Sequence, residues 1–198
     1  QLHDPLEFPD FSKSIDRLMR AVQEKEHIVI HGDYDADGVT STVMVSRLLE
    51  LLGARFSYYI PDRFSDGYGL SPESVKKHCD AGAKVIVSVD CGIRSISAAV
   101  TAEELNVDLI ITDHHEPFIT KEGRANLPKA FSVINPSLAS SRYPERNLSG
   151  AGVAFKLVQG LCQRTRHQNW LPAFTKLAAI GTVADLVPLE GENRVIVS

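Results

Sequence analysis

Only three cysteines occur among 198 residues, Cys79, Cys91 and Cys162, and no two of them form a C-x-x-C pair. An odd number of scattered thiols argues against a disulfide framework and fits a reducing compartment. No apolar run reaches the length of a membrane span, and the start, Gln1-Leu-His-Asp-Pro, has neither the basic nor the apolar segment of a secretory signal. Surplus positive charge is missing too. Against 25 Asp and Glu stand 21 Lys and Arg, a net charge of -4, so the surface is not uniformly basic. A local basic patch stays compatible with that count, because acids that bind divalent cations make the formal charge too negative. Internal repeats and low-complexity tracts are absent as well. What remains is a soluble, cytoplasmic protein with no membrane partner, and 43% hydrophobic residues at this length predict one domain with a substantial core.

Short apolar runs alternate with helical stretches along the chain. Helices are predicted over Phe11 to Glu24, Val39 to Leu52, Ser71 to about Gly82, Ser95 to Leu105, Ala151 to Arg164 and Pro172 to Val183, with Ser71-Pro72 supplying an N-cap and a first-turn proline. Strands are predicted over Ile28 to Ile30, Arg55 to Ile60, Lys84 to Asp90 and Val107 to Thr112. Pro61 to Leu70 reads as a loop, and so does 126–143, apart from a brief strand at Phe131 to Ile134. The end, Arg194-Val-Ile-Val-Ser198, is β-prone. This alternation indicates βαβ units, hence an α/β fold with a mostly parallel sheet flanked by helices. A helical lead-in over about 1–26, an α/β core over about 27–135 and a helical part over about 149–188 make one catalytic unit. It reads as part of a longer protein.

The densest chemistry lies in His31-Gly-Asp33-Tyr-Asp35-Ala-Asp37-Gly38, one imidazole and three carboxylates between a strand and a helix. At an effective dielectric of about 20, two carboxylates ~4 Å apart repel by about 4 kcal/mol, so such acids converge most readily around a cation. Asp33-x-Asp35-x-Asp37-Gly38 copies the opening of a calcium-binding EF-hand loop. That reading fails, because position twelve is Met44 instead of a bidentate Glu and the preceding residues are strand-like. A solvated acidic turn is the plain alternative. His31, Asp35 and Asp37 instead have the H-x3-D-x-D spacing of ligands to two neighbouring ions.

Two further strands end on polar residues, at Asp90 and at Asp113-His114-His115, and open α/β sheets collect ligands at the carboxyl ends of their strands. Asp90 enters a turn with Gly92, where it either caps the next helix or bridges two metals. Cys91 lacks a phosphate-cradling loop and reads as a packed residue. Adjacent histidines after a strand point different ways, so His114 and His115 are expected to have separate jobs, with Asp113 able to orient an imidazole. Asp185, after a helix, is either a cap or a ligand. Ser149, Gly150 and Gly152 open a helix whose amides suit a phosphate, with close helix packing as the alternative. Mixed basic and aromatic residues in Tyr58 to Phe64 and Arg142 to Arg146 suit a groove for a single strand, and equally an ordinary surface.

In combination, HGDYDADG, SVDCG, TDHHEP and GTVADLVPL resemble the four motifs of the DHH phosphoesterase superfamily, and YIPDRFSDGYGL with Ser149 to Lys156 adds a likeness to its bacterial RecJ exonuclease branch. The resemblance implies two divalent cations, manganese with magnesium as the alternative, at the C-terminal ends of the strands. It implies His31, Asp35 and Asp90 around one ion and Asp37, Asp90, His114 and Asp185 around the other, with Asp90 bridging. His115 is then assigned to the substrate phosphate, Asp113 and Asp33 to the shell around the ligands, and Ser149, Gly150, Gly152, Arg63 and Tyr68 to substrate binding. The implied reaction is degradation of single-stranded DNA from the 5′ end to mononucleotides, in DNA repair and recombination. Implied partners beyond that DNA are a single-stranded-DNA-binding protein and repair helicases, and substrate-gripping DHHA1 and oligonucleotide-binding domains are expected elsewhere in the protein. A DHH enzyme acting on short oligoribonucleotides, cyclic dinucleotides or pyrophosphate is the alternative within the class. A non-catalytic replication scaffold is the alternative outside it.

Overall fold

The computed structural model describes residues 2–62 and 69–198; Arg63 and Tyr68 lie outside the described residues. Its main sheet has five strands, β1 (His27–His31), β2 (Arg55–Tyr59), β3 (Ala83–Val89), β4 (Asp108–Thr112) and β7 (Ser132–Ile134), in the order β2-β1-β3-β4-β7 and all parallel. Strands alternate their side chains between two faces. In keeping with that, Ile28, Ile30, Val85, Val87, Val89 and Ile110 enter one apolar cluster, whereas Val29, Ile86, Leu109 and Ile111 enter another. Both faces are therefore buried, which is why these strands read as unbroken apolar runs instead of alternating ones.

The first cluster is covered by α1 (Phe11–Gln23), α2 (Ala36–Leu51), α5 (Gly150–Thr165) and α6 (Leu171–Ala184), and the second by α3 (Pro72–Asp80) and α4 (Ile96–Glu104). Ser71 caps α3 as expected, accepting from the Ser74 amide at 3.1 Å ahead of Pro72. No helix among the described residues is long and apolar enough to cross a membrane. The chain leaves β1 to build β2 on one side and β3 on the other, so strand order reverses between β1 and β3. Crevices at such switch points, outside the carboxyl ends of the strands, are where ligands bind.

Three expectations change. Helix α2 starts at Ala36, three residues before the predicted Val39, because the Asp35 carboxylate caps it by accepting from the Gly38 amide at 2.8 Å; Asp37 thus stands in the first turn. The segment 126–143 is preceded by an unexpected hairpin, β5 (Phe118–Ile119) with β6 (Ala125–Asn126). The β-prone end is a helix, α7 (Gly191–Val197). Tertiary bonds override its propensity: buried Glu192 meets buried Lys156 and the Tyr143 hydroxyl, and Asn193 Nδ2 donates to the carbonyls of Asn147 and Pro188 at 2.6 and 3.0 Å.

Candidate metal centre

Turns at the ends of β1, β3 and β4 carry the polar residues to one place. Strand register puts His31 beside Ser88 and Val89 beside Thr112, so the three ends are level. Asp90 turns sharply out of β3 in a left-handed conformation, φ 59°, followed by Gly92 at φ 114°. For a non-glycine residue that conformation costs roughly 1 kcal/mol or more, a strain that clusters at functional sites. Asp185 ends α6 as its C-cap.

Side chains meet there in three linked groups, each with ligand atoms mutually within 4.8 Å: Asp33, Asp35 and Asp90; Asp90, His114 and His115; and Asp37, His114 and Asp185. Asp90 joins the first two and His114 joins the last two. His114 Nε2 lies 3.3 Å from Asp90 Oδ1 and 3.7 Å from Asp185 Oδ2. Both Asp90 oxygens, His114 Nε2 and Asp185 Oδ2 are buried and make no hydrogen bond among the described residues. Polar atoms left this way inside a protein cost free energy unless something satisfies them. Carboxylates and imidazoles together are a donor set for a divalent transition-metal ion, so these residues fit a pair of cations.

The electrostatics agree. Burial pushes Asp90 well above the usual carboxylate range, and Asp37 and Asp35 push it further. Burial also lifts Asp37, to about 6, and raises Asp33 and Asp185. Asp113 behaves oppositely. Its burial is outweighed by the hydrogen bonds it accepts, from the His115 ring at 2.8 Å and from the amides of Ile93, His114 and His115, so it stays below the usual range. In return Asp113 raises the His115 imidazole.

Asp35, Asp37, Asp90, His114 and Asp185, all singled out in the sequence, thus stand together, with His115 and Asp113 beside them. His31 does not join the groups. Its buried ring shares a hydrogen bond with His78 Nε2 at 3.0 Å and approaches the Gly69 carbonyl at 3.3 Å, and Asp33 takes the place beside Asp35. The two histidines also do not diverge. Because both their amides bond to Asp113 Oδ1, the chain has already left strand geometry, and the two rings lie 4.4 Å apart on the side of Asp90. Cys91 is a buried packed residue, as anticipated.

The start of α5 corrects another expectation. Ser149 is buried, caps the helix by accepting from Gly152 and shares a hydrogen bond with Thr182, while the amides of Gly150 and Ala151 each donate to Asp37 at 2.7 Å. The helix N-terminus therefore holds a protein carboxylate, and its amides are not left for a substrate phosphate. Close packing holds as well: a Cβ on Gly150 would fall 2.2 Å from Asp90 Oδ1, and one on Gly181 2.6 Å from Asp37 Oδ1. Small residues in SGAG and IGTVAD were the signal for these approaches. His78 carried no motif at all.

Comparison with known proteins places the chain in a family. Residues 27–182 match the DHH family, N-terminal domain. The single-stranded-DNA-specific exonuclease RecJ of Bacillus subtilis is 42% identical over 98% of this chain, which spans 23% of that relative's length. A crystal structure of exonuclease RecJ bound to manganese superimposes with TM-score 0.85 and 36% identity over 96% of this chain and 46% of that one. RecJ of Thermus thermophilus in complex with Mn2+ gives TM-score 0.78 and 33% identity over 96% and 26% of the two chains.

Proposed function

The chain belongs to the DHH family, and from that premise we propose that it forms the phosphodiesterase centre of a single-stranded-DNA exonuclease that works from the 5′ end and releases mononucleotides. One observation carries the reading: three acid and imidazole groups, linked through Asp90 and His114, whose central atoms are buried without hydrogen bonds. The names of the relatives support the substrate, and the manganese in two similar structures supports the metal. The chain spans less than half of each of these proteins, so the activity belongs to the whole protein.

Asp33, Asp35 and Asp90 would hold one divalent cation, and Asp37, His114 and Asp185 with Asp90 the other. When bound, such a pair lowers the pKa of a shared water and neutralises charge on the attacking and leaving oxygens at phosphorus. Among the residues, Asp113 fixes the tautomer of His115 by accepting from Nδ1. The same bond raises the pKa of His115 and so favours its protonated form, which suits donation to a non-bridging phosphate oxygen or to the leaving oxygen. Asp90, in a left-handed conformation and with neither oxygen hydrogen-bonded among the described residues, would be shared by both cations. No protein nucleophile is required. A place in repair and recombination in the cytoplasm, beside a single-stranded-DNA-binding protein and helicases, extends the same reading.

The test uses the natural full-length chain with manganese and three substrates: a long 5′-phosphorylated DNA strand, a dinucleotide and pyrophosphate. Mononucleotide release from the long strand at the highest rate is expected. Preference for the dinucleotide or pyrophosphate overturns the exonuclease reading, and a protein that binds no divalent cation and hydrolyses none of the three with manganese present overturns the enzyme.

A further inference from the structure

A cavity of about 380 Å³ opens beside the metal centre, with His115 and Asp113 in one wall and Ser71, Arg94, Ser95 and Phe118 in others. Its two conspicuous side chains have no role in the chemistry above. Phe118 lies on the β5–β6 hairpin with 54% of its surface exposed, although a phenylalanine with no partner would be expected to hide. Arg94 follows the Asp90-Cys-Gly92 turn, and its guanidinium lies 5.5 Å from the Phe118 ring centre while Nε donates to the Glu116 carbonyl at 2.8 Å. That bond and the ring fix the guanidinium in place, and Arg94 forms no ion pair among the described residues. The acid in the wall, Asp113, is buried and already accepts from three amides and an imidazole. The cavity walls therefore offer a guanidinium with no ion pair among the described residues, an exposed aromatic ring and His115.

We propose that this cavity holds the nucleotide next to the scissile phosphate, with its base stacked on Phe118 and its phosphate against Arg94. The inference rests on the reading of the chain as a single-strand nuclease and names residues that grip that strand. An exposed ring offers a stacking face to any base, and a guanidinium lying on the ring pairs with phosphate while extending the stacked surface. The same hairpin carries Lys121, Glu122 and Arg124 at its turn, which leaves a single net positive charge there.

The test measures binding of a 5′-phosphorylated single strand by fluorescence anisotropy, using the full-length protein with calcium in place of manganese. Phe118→Ala should weaken binding about tenfold and Phe118→Trp should restore it. Arg94→Ala should flatten the dependence of log affinity on log salt by about 0.7, one phosphate contact to a single strand. In a second arm, single abasic sites are walked along the strand from its 5′ end. One position should weaken binding to the wild type and have no effect on Phe118→Ala, a coincidence that a merely misfolded hairpin does not produce. If the wild type binds and degrades single strands while Phe118→Ala binds equally well, this inference is wrong and the proposed function stands. A wild type that binds no single strand removes both.

Discussion

Asp37→Asn tests the balance of forces in the centre most directly. Burial raises Asp37 from 3.8 to about 6, so between these values the folded metal-free protein holds a proton that the unfolded chain has lost. Stability from this group is therefore fullest below pH 4 and falls as pH climbs through 6. At 1.36 kcal/mol per pH unit, the difference between 6 and 3.8 amounts to about 3 kcal/mol. Asparagine removes the charge. It accepts from one of the two amides of Gly150 and Ala151 but turns its own NH2 toward the other, returning about 1 kcal/mol. In chelator at pH 7 the variant should thus be about 2 kcal/mol more stable than the wild type, or roughly 4–8 °C in Tm for a chain of this size. At pH 4 the gain should vanish and turn slightly negative. His78 makes the difference between proteins the correct readout: burial lowers it to about 4, so it contributes stability that grows with pH over the same window and masks Asp37 in the wild-type curve alone. Manganese should then reverse the order at pH 7, stabilising the wild type more than the variant. An Asn variant less stable than the wild type at pH 7 in chelator would refute the claim that Asp37 is held at a cost.

Gly150→Ala should abolish normal manganese content, since its Cβ meets the Asp90 carboxylate, at a folding cost of about 1–3 kcal/mol; metal analysis with circular dichroism checks both, and full metal content would sink the packing argument. Asp90→Ala should lose both ions and Asp33→Ala should weaken one. His31→Ala should keep both and lose about 1–3 kcal/mol of stability by leaving His78 without its partner, so a missing ion in the His31 variant would restore that histidine as a ligand. Glu192→Gln leaves the Lys156 ammonium buried without a counter-charge and should cost about 3–5 kcal/mol in urea or thermal unfolding; a near-unchanged midpoint would show that the buried pair does not anchor α7.

The fold was legible in the sequence where one periodicity dominated. Ile28-Val-Ile30 and Val85-Ile-Val87 are apolar on both faces, which only a covered parallel sheet tolerates, and each leads to polar residues at the crevice. It was illegible where distant contacts decided. Val195-Ile-Val197 has strand propensity, but its helix is held by Lys156, 36 residues before Glu192. Spacing could not separate His31 from Asp33 either, because His31, Asp33, Asp35 and Asp37 all share one parity along the chain. Only the packing of His78 against His31 does so.

The start of α5 shows why residue type alone left two readings open there. Small residues and free amides suggested either a phosphate site or close packing, and the structure uses both properties on the protein's own acids. The amides of Gly150 and Ala151 and the positive end of the helix dipole act on Asp37, opposing the effect of burial. The missing Cβ of Gly150 leaves room for Asp90. Without those amides burial would lift Asp37 higher still, and a cation arriving near neutral pH would have to displace its proton. With them the carboxylate sits at about 6, mostly ionised at pH 7 and ready to bind. On the proposed reading, the anion this helix attracts is a ligand of the centre, and the phosphate of the substrate is met instead on His115 and on the wall that Arg94 and Phe118 form.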